Sequence, residues 1–266
     1  MKVYQTNEIK NISILGSSGS GKTTLAEAML YEGGVIKRRG SVEAGNTVSD
    51  YFPVEKEYGY SVFSTVFSVE WQDRKLNFID FVGGAVSALN VTDTALMVLN
   101  AQYGVEVGTI NQFRYTEQFH KPVIFVVNQL DNDKADYEGT IAQLKDRWGS
   151  KIVPIQYPIS CGSSFNAVVD VLKMKMYRWK PEGGVPDVLE IPAEEMDKAM
   201  ELHQALVEAA AENDDTLMEK FFEEGALSED DMRAGIRAGL VTCGMFPVFC
   251  VCAGRDMCVR RTLEFL

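Results

Sequence analysis

A glycine-rich octapeptide near the amino terminus constrains the fold of this chain more than any other feature. Residues 16–23 read GSSGSGKT and fit the pattern GxxxxGK[ST]. An apolar run at 12–15 precedes them, and a helical pattern over 23–32 follows. A strand, a glycine-rich turn and a helix in this order predict a loop that binds phosphate through backbone N–H groups and the positive end of the helix dipole.

Two side chains of this loop are predicted to have roles of their own. We expect Lys22 to contact the β- and γ-phosphates of a nucleotide and the Thr23 hydroxyl to bind Mg²⁺. The other candidate phosphate-binding residues are Gly16, Ser17, Ser18, Gly19, Ser20, Gly21 and Thr24. The loop alone does not distinguish ATP from GTP, or a kinase from a molecular switch.

Short β-rich runs alternate with helical patterns through the first 160 residues. This alternation predicts an α/β fold, here a P-loop nucleotide-binding domain with a mostly parallel sheet. The predicted strands lie at 12–15, 61–71, 75–80, 94–99, 123–127, 152–155 and 247–252. The predicted helices lie at 23–32, 85–91, 108–119, 137–147, 165–177 and 257–266. The stretch 33–60 has no sustained period and is too long for an ordinary connection, which is typical of a functional loop.

One segment accounts for the entire net negative charge of the chain. Residues 181–240 contain 17 Asp and Glu against 4 Lys and Arg, and the net charge of all 266 residues is −12. Because helical apolar stripes run through this segment, we expect a nucleotide-binding domain formed by 1–170 and 241–266, interrupted by an acidic helical insertion at 171–240. The insertion is either a solvated helical face or a surface for a basic partner. The acidic balance disfavours nonspecific binding to nucleic acid.

Composition predicts a cytoplasmic protein that does not bind membranes. No run of about 18 apolar residues occurs, and the first residues, MKVYQTNEIKN, lack the apolar stretch of a secretory signal. Five cysteines without CxxC spacing favour reduced thiols over a disulfide framework or a zinc site.

The segment Asn128-Gln129-Leu130-Asp131 indicates which base is bound. It directly follows the predicted strand at 123–127. A carboxylate at this position accepts hydrogen bonds from both N1–H and the exocyclic amino group of guanine, a pattern that adenine does not offer. The segment therefore predicts GTP or GDP as the ligand, and the alternative interpretation is an ordinary Asn/Asp turn at the end of a strand.

Several segments together resemble the translational GTPases and, within them, elongation factor G. The resemblance spans essentially the whole chain and rests on GSSGSGKTTLAEAMLYEGGVIKRRGSVE, EYGYSVFST, FIDFVGGAVSALNVTDTALMVLNAQYGVEVGT, KPVIFVVNQLD and PVFCVCAG. It implies a monomeric GTPase that binds Mg²⁺ with GTP or GDP, acts on the ribosome and has no DNA partner. The acidic insertion is then similar to the subdomain inside the GTP-binding domain of elongation factor G, and the ribosomal stalk protein is its expected partner. Family members continue into a β-barrel and further ribosome-contacting domains, so the chain resembles an amino-terminal part of such a factor.

The base-binding motifs of this family match the sequence unevenly. The motif NKxD reads NQLD here, so Gln129 would stack a short stem under guanine with less apolar cover than a lysine gives. The family's Ser-Ala dipeptide after the last strand reads Cys252-Ala253. The resemblance implies that the Ala253 N–H contacts guanine O6 and that Gly254 belongs to the same loop.

For the metal, the resemblance implies three ligands, namely Thr23, Ser61 and Asp80. The family's first switch segment contains Arg-Gly-Ile-Thr, which appears here as YGYS at 58–61. Ser61 keeps a hydroxyl for Mg²⁺, while the missing arginine alters the usual geometry of the switch.

The largest departure from the family follows Asp80. The family has Asp-x-Pro-Gly-His there, whose histidine positions the attacking water, whereas Asp80 here runs directly into FVGG at 81–84. Either this chain lacks the loop, or a mobile loop stands between residues 80 and 81 of the protein. We expect the Cα atoms of 80 and 81 to lie farther apart than about 3.8 Å, or 81–84 to form the loop.

The sequence offers no replacement for that histidine. The two histidines, His120 and His203, are expected at the surface or in packing contacts, so we assign no catalytic residue and expect slow hydrolysis.

Three functions remain open from the sequence. The first is the Mg-GTP-binding module of an elongation factor G-like ribosomal factor with weak GTPase activity. The second is a ribosome-binding switch that depends on GTP occupancy and does not hydrolyse it. The third is a P-loop kinase, which Asp131 disfavours because it selects against adenine.

Overall fold

Strands and helices alternate along the computed structural model, which describes residues 2–80, 85–180 and 184–266. The strands are β1 (Ile9–Leu15), β2 (Thr65–Trp71), β3 (Arg74–Asp80), β4 (Thr94–Asn100), β5 (Val123–Asn128), β6 (Ile152–Pro154), β7 (Gln156–Pro158), β8 (Ala167–Asp170), β9 (Lys175–Arg178), β10 (Asp187–Leu189) and β11 (Phe246–Cys250). The helices are α1 (Lys22–Glu32), α2 (Pro53–Tyr58), α3 (Ala85–Val91), α4 (Val107–Gln118), α5 (Tyr137–Trp148), α6 (Ala193–Ala211), α7 (Asp215–Glu224), α8 (Glu229–Val241) and α9 (Val259–Phe265).

The larger sheet contains seven strands in the order β2-β3-β1-β4-β5-β11-β6. β1 lies parallel to β3 and β4, and β5 lies parallel to β4 and β11. β6 is parallel to β11, whereas β2 at the other edge is antiparallel to β3. The expected α/β fold with a mostly parallel sheet is confirmed. Because these parallel strands share one direction, their carboxyl ends meet at one edge, where open α/β sheets bind ligands.

The buried centre of this sheet is formed by β4, β5 and β11. Every residue of β5 and β11 is buried, and so is every residue of β4 after Thr94. Such continuous apolar runs are typical of parallel strands that helices cover on both faces. Phe113, Phe125, Trp148 and Phe246 pack together beside these strands, with ring centroids 4.3 to 6.3 Å apart. This packing holds the strand ends that carry the candidate site.

A smaller antiparallel sheet, ordered β10-β9-β8-β7, replaces the helix predicted at 165–177, and that prediction is wrong. β8 and β9 pair with each other, and β8 also pairs with β7. Two features of the segment favour strands: the β-branched pair Val168 and Val169 is buried in β8, and Met174 between the strands has a positive φ of 49°, which a helix does not accommodate. β8 pairs with β7, which comes from a separate segment of the chain, and the helical periodicity of 165–177 gave no sign of this pairing.

The acidic segment folds largely as three helices, α6 to α8. Asp214 caps α7 by accepting hydrogen bonds from the first-turn amides, and Ser228 caps α8 in a reciprocal arrangement with Asp231. Gly235 allows α6 and α8 to approach closely, because a Cβ there would lie 2.4 Å from the Ala210 carbonyl oxygen. The helices expected in the acidic segment are therefore present, while its role as an insertion with boundaries at 170/171 and 240/241 stays a prediction.

Both histidines lie away from the carboxyl edge of the large sheet. His120 is exposed and precedes the amino end of β5. His203 lies on α6, with Nδ1 2.7 Å from the Val171 carbonyl oxygen. These positions agree with the surface and packing roles expected of them. The predicted geometry at 81–84 lies outside the described residues.

The five cysteines are free thiols, and Cys250, Cys252 and Cys258 are buried. They therefore act as small packing residues in the folded chain. Among the described residues, no helix combines the length and apolar character needed to cross a membrane.

Candidate nucleotide-binding site

The glycine-rich loop leaves β1 and enters α1 at the carboxyl edge of the large sheet. Gly16 has a φ of 141°, and a Cβ there would lie 2.2 Å from the Val98 carbonyl oxygen. Gly21 has a φ of 88°, and a Cβ there would lie 2.4 Å from Asn128 Nδ2. The loop thus approaches β4 and the end of β5 more closely than any residue with a side chain allows.

Helix α4 holds the first turn of the loop through contacts that the sequence did not reveal. The Gly16 N–H donates to Gln112 Oε1 at 2.5 Å, and Gln112 Nε2 donates to the Gly16 carbonyl at 3.3 Å. The Ser17 hydroxyl accepts from the Thr109 N–H at 3.1 Å. No local signal marks Gln112, because its partner lies 96 residues earlier in the chain.

Lys22 lies within the loop, as the sequence predicted for a residue that contacts phosphate. Its Nζ donates to the Gly16 and Ser17 carbonyls, each at 2.9 Å. Burial lowers the pKa of Lys22, against the opposing influence of the Asp80 and Glu106 carboxylates. Thr23 and Thr24 follow in the first turn of α1, with Ser18 and Gly19 exposed on the other side of the loop.

Asn128 joins the glycine-rich loop to the loop after β11. Its Nδ2 donates to the Ser20 carbonyl at 3.0 Å, and its Oδ1 accepts from the Ala253 N–H at 3.0 Å. The three segments predicted to contact phosphate and base are therefore adjacent in space. The Ala253 N–H, predicted to contact guanine O6, is engaged by Asn128 in the structure, so any contact with the base would be shared.

Asp131 and Cys252 face each other at the position predicted for the base. Burial and the neighbouring Asp131 carboxylate, which accepts a hydrogen bond from the thiol, raise the pKa of Cys252 to about 12. The thiol therefore stays protonated at neutral pH and keeps a donor directed at Asp131. Two residues after Cys252, the Gly254 carbonyl accepts a hydrogen bond from Arg39 at 3.2 Å.

Asn100 is a site residue that sequence reasoning missed. It ends β4 opposite Asn128, which ends β5. Its Nδ2 donates to Gln129 Oε1 at 2.9 Å, and Gln129 Nε2 donates to the Gly19 carbonyl at 3.0 Å. A polar residue directly after a buried apolar strand was the available signal, because the same placement had marked Asn128.

The three residues predicted to bind Mg²⁺ converge from separate elements. Thr23 Oγ1 lies 3.0 Å from the Ser61 hydroxyl and donates to Asp80 Oδ2 at 3.3 Å. Thr23 lies in the first turn of α1, Asp80 ends β3, and Ser61 comes from the irregular segment before β2. The strand predicted to start at Ser61 begins four residues later, at Thr65, which leaves Ser61 in a loop.

This oxygen cluster has the chemistry of a magnesium site. Asp80 Oδ1 is buried and has no hydrogen-bond partner among the described residues. Burial raises the pKa of Asp80 to about 6, with Lys22 opposing the shift and Asp50 adding to it. A carboxylate that is buried and short of positive charge, next to two hydroxyls, fits a hard divalent cation that prefers oxygen ligands.

Asp50 is a second carboxylate in this cluster, and the sequence did not identify it. Its side chain accepts hydrogen bonds from Ser61 and Thr47, and burial raises its pKa. Its Oδ1 is buried without a partner among the described residues. Asp50 lies in the aperiodic stretch 33–60, where no pattern distinguishes one polar residue from another.

Two glutamates tie that stretch to the body of the domain. Glu27 of α1 accepts hydrogen bonds from the Gly40 N–H at 3.0 Å and from the Val48 N–H. Glu55 of α2 accepts from the N–H groups of Val62 and of the following residue, both at 3.0 Å. These carboxylates place Asp50 and Ser61 beside α1.

The sheet, the loop and the polar strand ends define a P-loop nucleotide-binding domain. The family model for the elongation factor Tu GTP binding domain matches residues 7–266. The chain therefore belongs to this family of GTPases. The resemblance to translational GTPases is thereby confirmed, and with it a guanine nucleotide as the ligand of the class.

A solved structure resembles the chain over nearly its whole length. A crystal structure of a protein from Thermus thermophilus superposes with a TM-score of 0.90 at 30% sequence identity. The match covers 97% of this chain and 39% of that protein. The chain thus spans about two-fifths of the length of this relative.

Proposed function

We propose that this chain is the Mg-GTP-binding domain of an elongation factor G-like ribosomal factor and that it hydrolyses GTP slowly. The observation that carries the proposal is the pair of hydrogen bonds by which Asn128 joins the Ser20 carbonyl to the Ala253 N–H. These bonds set the distance between the phosphate loop and the residues around Asp131. The adjacency of these segments supports one ligand that has both a base and phosphates.

Asp131 supplies the specificity in this proposal. Its carboxylate accepts the N1–H and the amino group of guanine, while Gln129 stacks along the ring and Cys252 holds the carboxylate through its thiol. Adenine presents no matching pair of donors, so the half-buried Asp131 carboxylate would lose its hydrogen-bond partners and affinity would fall by orders of magnitude. The kinase alternative, which needs adenine, is disfavoured for this reason.

The phosphates lie on the residues of the glycine-rich loop in this proposal. The loop after Gly16 supplies backbone N–H groups, Lys22 leaves its carbonyl partners for the β- and γ-phosphates, and Thr24 adds a donor in the first helical turn. Thr23, Ser61 and Asp80 hold Mg²⁺, with Asp50 beside them. When bound, the cation neutralises charge on the phosphate oxygens.

Slow hydrolysis follows from the groups around the metal cluster. Among the described residues, the two histidines lie on α6 and before β5, and neither reaches Asp80. A residue that positions the attacking water contributes about 10² to 10⁴ in rate. We therefore propose that GTP turnover is about 10² to 10⁴ slower than in an elongation factor G that has this histidine. A ribosome-binding switch that does not hydrolyse GTP is the second candidate.

The ribosome and its stalk protein are the proposed partners. We also propose that the protein is a monomer in the cytoplasm. Helices α6 to α8 present an acidic surface suited to a basic partner, and the match to the Thermus protein includes this segment. We propose that 171–240 forms an inserted subdomain and that 1–170 with 241–266 forms the GTP-binding domain.

Nucleotide competition tests the assignment of the base. GDP and GTP should displace a fluorescent guanine nucleotide, whereas ADP and ATP at a hundredfold higher concentration should not. Equal displacement by ATP would contradict the guanine site. GTP hydrolysis with and without ribosomes, compared with an elongation factor G in the same assay, then separates a slow GTPase from a switch without turnover.

A further inference from the structure

A cavity lies at the edge of the large sheet opposite the glycine-rich loop. It has a volume of about 660 Å³ and opens between the amino ends of β1, β3 and β4 and the helices α8 and α9. Lys10, Arg74 and Thr94 mark the three strand starts in its wall. Because the nucleotide site occupies the carboxyl ends of the same strands, the two sites are separated by the length of the strands.

The walls of this cavity are strongly cationic, although the chain has a net charge of −12. Among the described residues, one carboxylate, Glu264, lines it. The cationic side chains that line it are Lys10, Arg74, Lys173, Arg233, Arg237 and Arg261. Like charges gathered around one concave surface raise the local positive potential and attract anions.

Most of these cations have no carboxylate partner. Arg261 pairs with the buried Asp170 at 2.6 Å, and Arg233 pairs with Glu229 at 2.7 Å on the exposed side of α8. The other four have no carboxylate within 4.0 Å among the described residues: Lys10, Arg74, Lys173 and Arg237. The positive charge of the cavity is therefore available to a ligand.

Two hydrogen-bond donors in the same walls are also without partners. Trp71 Nε1 and Arg261 Nη2 are buried and make no hydrogen bond among the described residues. A buried polar group without a partner is costly and is rare in folded proteins. Both groups are donors that solvent does not reach, so they add positive potential beneath the cavity wall and do not themselves contact a ligand.

Much of the remaining wall is apolar and suits an organic body. Leu76, Leu240 and Leu263 line the cavity together with Phe265 and the ring of Trp71. Its volume falls in the range of small-molecule sites, which combine mostly apolar walls with a few placed polar groups. A bare inorganic ion would leave this surface uncovered.

We propose that this cavity is a second ligand site, which binds a small organic phosphate monoester. The guanidinium groups of Arg74 and Arg237 match phosphate oxygens in a planar, two-point geometry, and the lysines add point charges. A phosphate monoester carries close to two negative charges at neutral pH and three acceptor oxygens, which matches the excess of cations without a carboxylate partner. Its organic part contacts the leucine side chains and Trp71.

Calorimetric titration with 1-naphthyl phosphate tests this site. We expect saturable binding at one site per chain. Arg237→Glu should weaken that binding at least tenfold, because it reverses an unpaired charge on an exposed side chain and leaves the core intact. Lys173→Glu should act in the same direction. Arg147→Glu on the exposed face of α5 is the matched control and should change the affinity less than twofold.

Two further arms distinguish the site from the phosphate loop and from a site for free phosphate. Lys22→Ala should leave the affinity for 1-naphthyl phosphate unchanged, and its loss in that variant would assign the ligand to the loop and overturn the proposal. Inorganic phosphate should bind at least tenfold more weakly than the ester. Equal affinity, absence of saturable binding, or indifference to both charge reversals in chains with an unchanged circular dichroism spectrum would each refute the site.

Discussion

The base end and the metal end of the nucleotide site are built in different ways. At the base end, Asn128 and Gln129 project from the end of β5, and their amides donate to carbonyls of the glycine-rich loop. At the metal end, Asp50 and Asp80 each keep a buried oxygen without a partner among the described residues. Ser61 joins them from an irregular segment rather than from the sheet. We therefore propose that the base end is preorganised by the protein alone, whereas the metal end needs a cation to complete it.

One contact links the two regions. Arg39, from the same irregular stretch as Asp50, donates to the Gly254 carbonyl at 3.2 Å and pairs with Asp256 at 2.9 Å. The stretch that contains Asp50 thus also touches the loop after β11. Substitutions at the two ends should still differ in size, because this contact is peripheral to both.

The largest effect is expected at the base end, from Asp131→Ala. Removing the carboxylate leaves the guanine N1–H and amino group without acceptors in a largely dry site, which lowers affinity by about 10² to 10⁴. Titration calorimetry with GDP measures it. Asp131→Asn provides the matched test, because its amide can donate to the second carbonyl of xanthine. This variant should bind xanthosine diphosphate (XDP) but not GDP. GDP affinity within threefold of the parent in the alanine variant would contradict the preorganised base end.

Lys22→Ala should have the next largest effect. It removes charge-assisted contacts to the phosphates, each worth about 1.5 to 3 kcal/mol, so GDP affinity should fall at least about tenfold. Guanosine, which lacks phosphates, should bind both proteins equally, and this comparison assigns the loss to the phosphate end. Unchanged GDP affinity in a folded variant would mean that the glycine-rich loop is only a turn.

Asp80→Asn should separate the metal end from the base end. We expect the Mg²⁺-dependent gain in GDP affinity to fall by about tenfold, because a neutral amide is a poor ligand for a hard cation. Affinity measured in excess chelator should stay within about twofold of the parent, since the base end is untouched. A Mg²⁺ dependence equal to that of the parent would remove Asp80 from the proposed metal site.

Glu55→Gln should have the smallest effect on nucleotide binding. The carboxylate accepts hydrogen bonds from the Val62 and Phe63 N–H groups, and hydrogen bonds to charged groups are worth about 1.5 to 3 kcal/mol each. We expect GDP affinity to change by less than about twofold, while amide exchange at 61–63 becomes faster. Protection of these amides equal to that of the parent would show that Glu55 does not hold the segment.

The parts of the site that could be predicted share one property. Gly16 to Thr23 and Asn128 to Asp131 are contiguous stretches that follow buried apolar strands, and the strand direction alone brings them to one edge. Thr23, Ser61 and Asp80 come from three separate segments, and the family resemblance supplied their grouping. Gln112 was missed because its partner lies 96 residues away in sequence. Asn100 offered the same strand-end signal as Asn128, and Asp50 was missed because no pattern marks one polar residue in the aperiodic stretch 33–60.

The sequence by itself determined the alternating α/β pattern, the phosphate loop and the base-specifying segment, because strand burial and turn chemistry act over a few neighbouring residues. Tertiary structure decided that 167–178 forms paired strands rather than a helix, since β8 takes its hydrogen bonds from β7 and β9. It also decided which polar residues of the aperiodic stretch reach the metal cluster, where Glu27 and Glu55 hold the chain. Backbone hydrogen bonds within a helix are local, whereas strand pairing and loop anchoring depend on partners that only the folded chain brings together.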